Sequence, residues 1–221
     1  MCTRFSFNAS KEKMKRQFNL PIKHELQKSF NIGTGQNAYI LTNKSLELQI
    51  FRWGLIPHWA NGESVGDNLI NAAAEGIGTT LSFRLPIRQR RCLVFADSYY
   101  IWDGHGQNAQ PYRVSLGNGV IMAMAGVWDV WISEDKRVFK TFSIITTKAN
   151  GDLNKLTSRM PVILADGSKQ ARWLGEVSLD TTLNLLQPLP LGMLSSYPIT
   201  KELMSLDNNY PELHNPVELT L

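Results

Sequence analysis

Cysteine is scarce in this chain: 221 residues hold only Cys2 and Cys92. The two form no Cys-x-x-Cys pair, which argues against a disulfide framework and against a cysteine-held zinc site. Histidine is nearly as rare. His24, His58, His105 and His214 lie far apart and none sits in a His-Glu-x-x-His arrangement, so no metal and no other cofactor is expected. No apolar run approaches the ~20 residues that a membrane helix needs, and no signal-peptide core follows Met1. The chain therefore reads as soluble and cytoplasmic, without membrane contact. Internal repeats, low-complexity tracts and linkers are absent too, so residues 1–221 are expected to form a single domain and a monomer.

What is present suffices for a core: 43% of residues are hydrophobic and 19% charged, ordinary values for a globular protein. The net charge of +4 is mild but uneven. Lys11, Lys13, Lys15 and Arg16 cluster near the start, and Arg84, Arg88, Arg90 and Arg91 fall within eight residues. Such patches suit a polyanion such as nucleic acid, and equally a solvated helix face or a loop before a strand.

The position of one cysteine carries chemistry of its own. In Met1-Cys2-Thr3-Arg4-Phe5, trimming of Met1 would leave Cys2 as a 1,2-aminothiol. A free α-amine titrates near ~7.7–8.0 and a thiol near ~8.5, so both nucleophiles are available near neutral pH. The amine can condense with an aldehyde, and the thiol can then close a thiazolidine ring.

Along the chain, residues 10–19 suit a short helix capped by Ser10, with Met14 and Phe18 on one face. Asn37–Thr42 reads as extended, and Leu46–Phe51 alternates as a half-buried strand does. NGESVGDN (61–68) reads as a polar loop, and NAAAEGI, from Asn71, as the start of a short helix capped by Asn71. From Arg91 onward β-branched and aromatic residues dominate, with turns at 117–119 and 133–136. Helices are expected at Ser168–Trp173 and Leu179–Leu186, then an extended LSSYPI. Trp102, Trp128 and Trp131 are assigned to the sheet core. The fold class is α+β: a mainly antiparallel, partly barrel-like sheet with peripheral helices.

Seven ordered blocks carry a resemblance: MCTRF at the start, FNIGTGQ (30–36), RWGLIPHWA (52–60), INAAAEG (70–76), RRCLVFADSYYIW (90–102), AMAGVWD (123–129) and FSIITTKANGDLNKLTSRMPVIL (142–164). Together they resemble the SOS-response-associated peptidase (SRAP) family, whose members crosslink to abasic sites in single-stranded DNA. The resemblance implies an abasic-site sensor in which Cys2, freed of Met1, supplies amine and thiol to the ring-opened sugar. It implies that Asn71 orients the terminal nucleophile and the sugar, and that Arg4 and Arg159 clamp phosphates, although a surface charge and a buried carboxylate partner are their bland alternatives. Trp53 and Trp59 could stack bases or pack in the core.

Three positions depart from the family pattern. Ile101 replaces the glutamate before the tryptophan of the family's YEW triplet, Thr157 the histidine of its H-x-R-M-P segment, and Ala73 the arginine of NARAET. Positioned acid–base groups are worth ~10²–10⁴-fold in rate, so loss of the glutamate and the histidine implies slower assembly, reversal or both, and Ala73 implies one phosphate contact fewer. Asp103, two residues beyond Ile101, is displaced by ~6.5 Å along a strand, too far for direct replacement. Glu75 is expected to cap a helix or pair with an arginine; His58 and His105 could replace the lost histidine only by default. Two other readings stand beside the sensor: a degenerate single-stranded DNA-binding relative with little crosslinking or lyase activity, and an N-terminal-cysteine amidohydrolase.

Overall fold

Residues from Arg91 onward, rich in β-branched and aromatic side chains, form the long strands around which the rest is built. The computed structural model describes residues 3–104 and 106–219. In chain order the elements are β1 (Arg4–Phe7), α1 (Lys11–Phe18), β2 (Ser29–Gly33), β3 (Asn37–Thr42), β4 (Gln49–Trp53), β5 (Asn71–Ala73), α2 (Pro86–Gln89), β6 (Arg91–Ala96), β7 (Ser98–Asp103), β8 (Gln110–Leu116), β9 (Met122–Ile132), β10 (Val138–Lys148), β11 (Arg159–Pro161), α3 (Gly167–Leu174), α4 (Leu179–Asn184) and β12 (Leu194–Pro198). Short 3-10 turns fill several connections.

The strands β10-β4-β3-β6-β9 follow one another side by side, and pairing of β9 with β10 closes them into a ring. β4 and β5 run parallel to β10; the other pairings are antiparallel. Because β9 and β4 occupy opposite sides of β10 at Thr141 and Phe142, β5 and β11 must continue those two sides at Thr146. Asn71 and Arg159 thus flank the same end of β10. A second antiparallel sheet, β12-β8-β7-β1-β2, carries the N-terminal strand and packs it onto the ring through Phe5 against Trp53, ring centroids 5.0 Å apart.

The α+β architecture with a barrel-like sheet is therefore as expected. Ser10 caps α1 by accepting from the Lys13 backbone N–H, and Asn19 closes it in the left-handed region. Asp166 and Ser178 cap α3 and α4 in the same way. Two local readings need correction. The Asn71 segment is a strand, not a capped helix: β10 offers it an open edge, taken by Ile144 N–H to Ile70 O at 3.0 Å and Ala74 N–H to Thr146 O at 2.9 Å. Tertiary pairing overrides the helical preference of alanine. NGESVGDN is also more ordered than a polar loop, with a 3-10 helix at Glu63–Asn68. Gly54, at φ +119°, approaches the Gly66 carbonyl so closely that a Cβ there would lie 2.7 Å from its oxygen.

The C-terminal segment is fastened to β1, β7 and β8 by a polar network. Asp97 accepts from Asn8 N–H (2.7 Å) and Arg113 Nη2 (2.9 Å). Arg113 Nη1 donates to the Tyr197 hydroxyl at 2.6 Å, which donates to His214 O at 2.9 Å. Tyr100, fully buried, donates to Phe30 O at 2.5 Å, so His214 Nε2 carries the proton of its 2.9 Å bond to that hydroxyl. No helix among the described residues is long and apolar enough to cross a membrane.

Candidate functional site

Arg4 opens β1, and its guanidinium is held from several sides. Nη1 donates to Asn31 Oδ1 (3.0 Å) and Leu203 O (3.3 Å), and Nη2 to Met204 O (3.1 Å). Asn31, 1% exposed, is itself tied by Nδ2 to Leu203 O, Ser205 O and Asn208 O at 2.8–3.1 Å. Burial pulls the pKa of Arg4 below its ordinary value, but a guanidinium starts high enough to stay charged. Beside it lies a cleft of about 400 Å³ lined by Thr3, Arg4, Thr34, Trp102, Met204 and Leu206.

Beneath the cleft, packing connects β1 to β5. Phe5 meets the edge of Trp53, whose indole N–H donates to Ile70 O at 2.9 Å, next to Asn71. Trp53 is 0% exposed, so it presents no face to a base, and the stacking role is corrected to core packing. Trp59, by contrast, is 45% exposed. Trp102, expected in the sheet core, is half-buried near the end of β7: it packs against the smaller apolar cluster that holds Phe30, Tyr100 and Leu203, and it also lines the cleft.

Across β10 from β5, Arg159 starts β11. Its Nη2 donates to Thr146 O (2.7 Å) and Glu75 Oε2 (2.8 Å), and its Nε to Thr146 Oγ1 (3.2 Å). Nη1 reaches Glu75 Oε1 at 3.3 Å, making the pair a two-pronged one. The hydrogen bond from Arg159 holds the Glu75 carboxyl below the usual carboxylate range. Glu75 is thus the arginine partner that its sequence setting suggested. Cys2 lies outside the described residues, as does His105.

The chain matches the model of the family described as SOS response associated peptidase (SRAP) over residues 1–206. It is 34% identical over 222 residues to the abasic site processing protein YoqW of Bacillus subtilis, covering 96% of this chain and 98% of that one. It is 30% identical over 200 residues to the abasic site processing protein HMCES of Mus musculus, covering 76% of this chain and 56% of that one. A crystal structure of a protein from Bacteroides thetaiotaomicron superposes with a TM-score of 0.86 at 28% identity, over 98% of this chain and all of that one. The chain belongs to the SRAP family.

Within this SRAP fold the three positions expected to depart from the family pattern occupy distinct surroundings. Ile101 is 2% exposed and belongs to the main apolar cluster, whereas Asp103 is exposed at the end of β7. Thr157 is half-buried, and its hydroxyl donates to Arg159 O (3.1 Å) and accepts from Arg159 N–H (3.3 Å), bracing the turn into β11. Ala73 is exposed on β5 opposite Thr146. His58 is not at this site: its Nδ1 lies 3.1 Å from buried Asp129, which also binds Arg90. Among the described residues no group of three His, Cys, Asp or Glu side chains could hold a metal.

Asn31 lies in the FNIGTGQ block, but nothing local shows its role: the carbonyl partners of its Nδ2 lie more than 170 residues away.

Proposed function

We propose that this SRAP protein recognises abasic sites in single-stranded DNA and crosslinks to them through Cys2 after removal of Met1. The family and the abasic-site relatives support the reading. The observation that supports it best is the packing chain Phe5–Trp53–Ile70, which links the N-terminal strand through Trp53 to the residue before Asn71, with the Arg4 cleft at the start of that strand.

The amine of Cys2 attacks the C1′ aldehyde of the open sugar and water leaves to give an imine. The thiolate adds to the imine carbon and the nitrogen takes up a proton, closing the thiazolidine with one water lost overall. Asn71 orients the nucleophile and the sugar. Arg4 keeps its charge while neighbouring carbonyls fix its position, which suits a preset phosphate contact. Arg159 is shared: a phosphate must compete there with Glu75. Trp102, lining the cleft, offers the stacking surface that Trp53 does not.

A second reading rests on Ile101 and Thr157. An apolar side chain and a hydroxyl engaged with backbone supply no proton-handling group, so this chain would bind abasic DNA with slow or absent crosslinking. Intact-mass measurement before and after incubation with abasic single-stranded DNA separates the two. The first predicts loss of Met1 and a DNA adduct that Cys2→Ala abolishes. Retention of Met1 refutes any mechanism through the free aminothiol, and binding without an adduct establishes the second reading.

A further inference from the structure

The arginine cluster at 84–91 is not absorbed by the site above, and the structure divides it. Arg91 is 2% exposed. Its guanidinium donates to Trp173 O (2.7 Å), Ile87 O (3.0 Å), Arg88 O (2.8 Å) and Gly175 O (2.6 Å). These carbonyls satisfy its N–H groups but do not cancel its charge, and no carboxylate among the described residues pairs with it. A positive charge so placed, with poor screening by water, projects its field into whatever space adjoins it.

The adjoining space is a groove of about 480 Å³ between the end of β3, the α2–β6 junction and residues 176–178. Exposed Lys44 and Arg88 stand on its rim with half-buried Arg90 and Trp128. The Arg90 guanidinium lies 5.9 Å from the Trp128 ring centroid, and the indole N–H is directed at Asn43 Oδ1, 3.3 Å away. Against these four cations stand Glu176 on the rim and the buried Asp129 that binds Arg90. Cations in excess around an aromatic ring are what a single nucleic-acid strand needs: phosphates meet the charges, and a base or sugar packs on the flat surface. The other basic cluster has no such form. Lys15 and Arg16 are exposed on α1, and Lys11 turns to Lys23 O and Glu25.

We propose that this groove is a second nucleic-acid contact, separate in its residues from the Arg4, Asn71 and Arg159 site, which holds the phosphates of the strand flanking the lesion. The proposal rests on the single-stranded DNA reading of the principal site and extends it to strand length.

The test is equilibrium binding of single-stranded DNA to the full chain carrying Cys2→Ala, which removes covalent trapping. Abasic strands of six and of twenty to thirty nucleotides are titrated over a range of salt concentrations. Lys44→Ala with Arg88→Ala changes two exposed side chains; because Arg88 Nη1 donates to Gly78 O (3.1 Å) and Arg84 O (2.5 Å), a melting curve of the double variant checks that it is folded at the assay temperature. Removing one cation that neutralises a phosphate of a single strand lowers the log–log salt slope by ~0.7. The double variant should therefore show a slope shallower by ~1.4 and an affinity weaker by on the order of tenfold for the long strand, with no change for the short one. An equal weakening in the control Lys28→Ala with Lys169→Ala would make the effect one of general charge and overturn the proposal. An unchanged long-strand affinity would overturn it too, as would competition by poly-glutamate as strong as that of DNA, which would assign the groove to an acidic protein. An undamaged long strand separates this proposal from the reading beneath it. If the protein ignores the lesion but the double variant still binds the long strand more weakly, the principal reading fails and the groove stands.

Discussion

Acidification should destabilise the fold through His214, because its folded environment suits only the neutral imidazole. Burial, with Arg113 acting in the same direction and Asp97 opposing, pushes its pKa down from 6.5 to about 4. Above pH 6.5 neither the folded nor the unfolded chain protonates this ring, and its contribution to stability is fully present. Below 6.5 the unfolded chain gains a proton that the folded one refuses until about pH 4, so stability is lost across that window. At about 1.4 kcal/mol per pH unit of difference, the gap sets an upper bound of about 3 kcal/mol. The side chain retains 13% exposure, and solvent screening there brings the expected loss to about 2 kcal/mol. For a chain of this length that corresponds to a melting temperature lower by roughly 4–8 °C. Melting curves at pH 7, 5.5 and 4.5 for the natural chain and His214→Gln measure it as a difference, which cancels the carboxylates titrating lower in the range. The natural chain should lose several degrees more than the variant between pH 7 and 4.5. Parallel pH profiles would refute the reasoning, since they would mean that the ring is hydrated or already charged in the folded protein.

Three further outcomes follow from the site. Glu75→Gln removes the competitor for Arg159, so single-stranded DNA affinity should rise a few-fold at low salt, while stability changes by no more than about 1 kcal/mol because the pair is partly exposed; fluorescence anisotropy with a parallel melt checks both. Asn31→Ala removes the acceptor that fixes Arg4 Nη1 and strands the carbonyls of Leu203, Ser205 and Asn208, which should cost about 2–4 kcal/mol and slow single-turnover crosslinking even at temperatures where the variant is folded. Ile101→Glu combined with Thr157→His should accelerate crosslinking toward the ~10²–10⁴-fold that positioned acid–base groups supply while lowering the melting temperature, because the new carboxyl enters a site with 2% exposure; an unchanged rate in gel-resolved kinetics would show that proton handling is not what limits this chain.

Much of the fold is legible in the sequence because its signals are local. Ser10, Asp166 and Ser178 can cap helices through their own side chains, and alternating β-branched residues mark strands wherever they fall. Sequence and structure part where a distant partner decides. Asn71–Ala73 carries a helix-like composition, but the open edge of β10 makes it a strand. Trp53 and Trp102 are both tryptophans in recognisable blocks, yet one is sealed beneath Phe5 and the other lines the cleft. Side-chain type states what a residue can bind; only packing states which face reaches solvent.

By itself the sequence determined the chemistry available to this protein: an aminothiol once Met1 is gone, the ordered blocks of the SRAP family, and an isoleucine, a threonine and an alanine at positions 101, 157 and 73. These are covalent facts and need no partner. The tertiary structure alone decided how charges are shared. It set Glu75 on Arg159, neutral carbonyls on Arg4 and on the buried Arg91, and a residue more than 170 positions away on Asn31. Electrostatic and hydrogen-bonding energies depend on distances across the fold, and distance along the chain does not encode them.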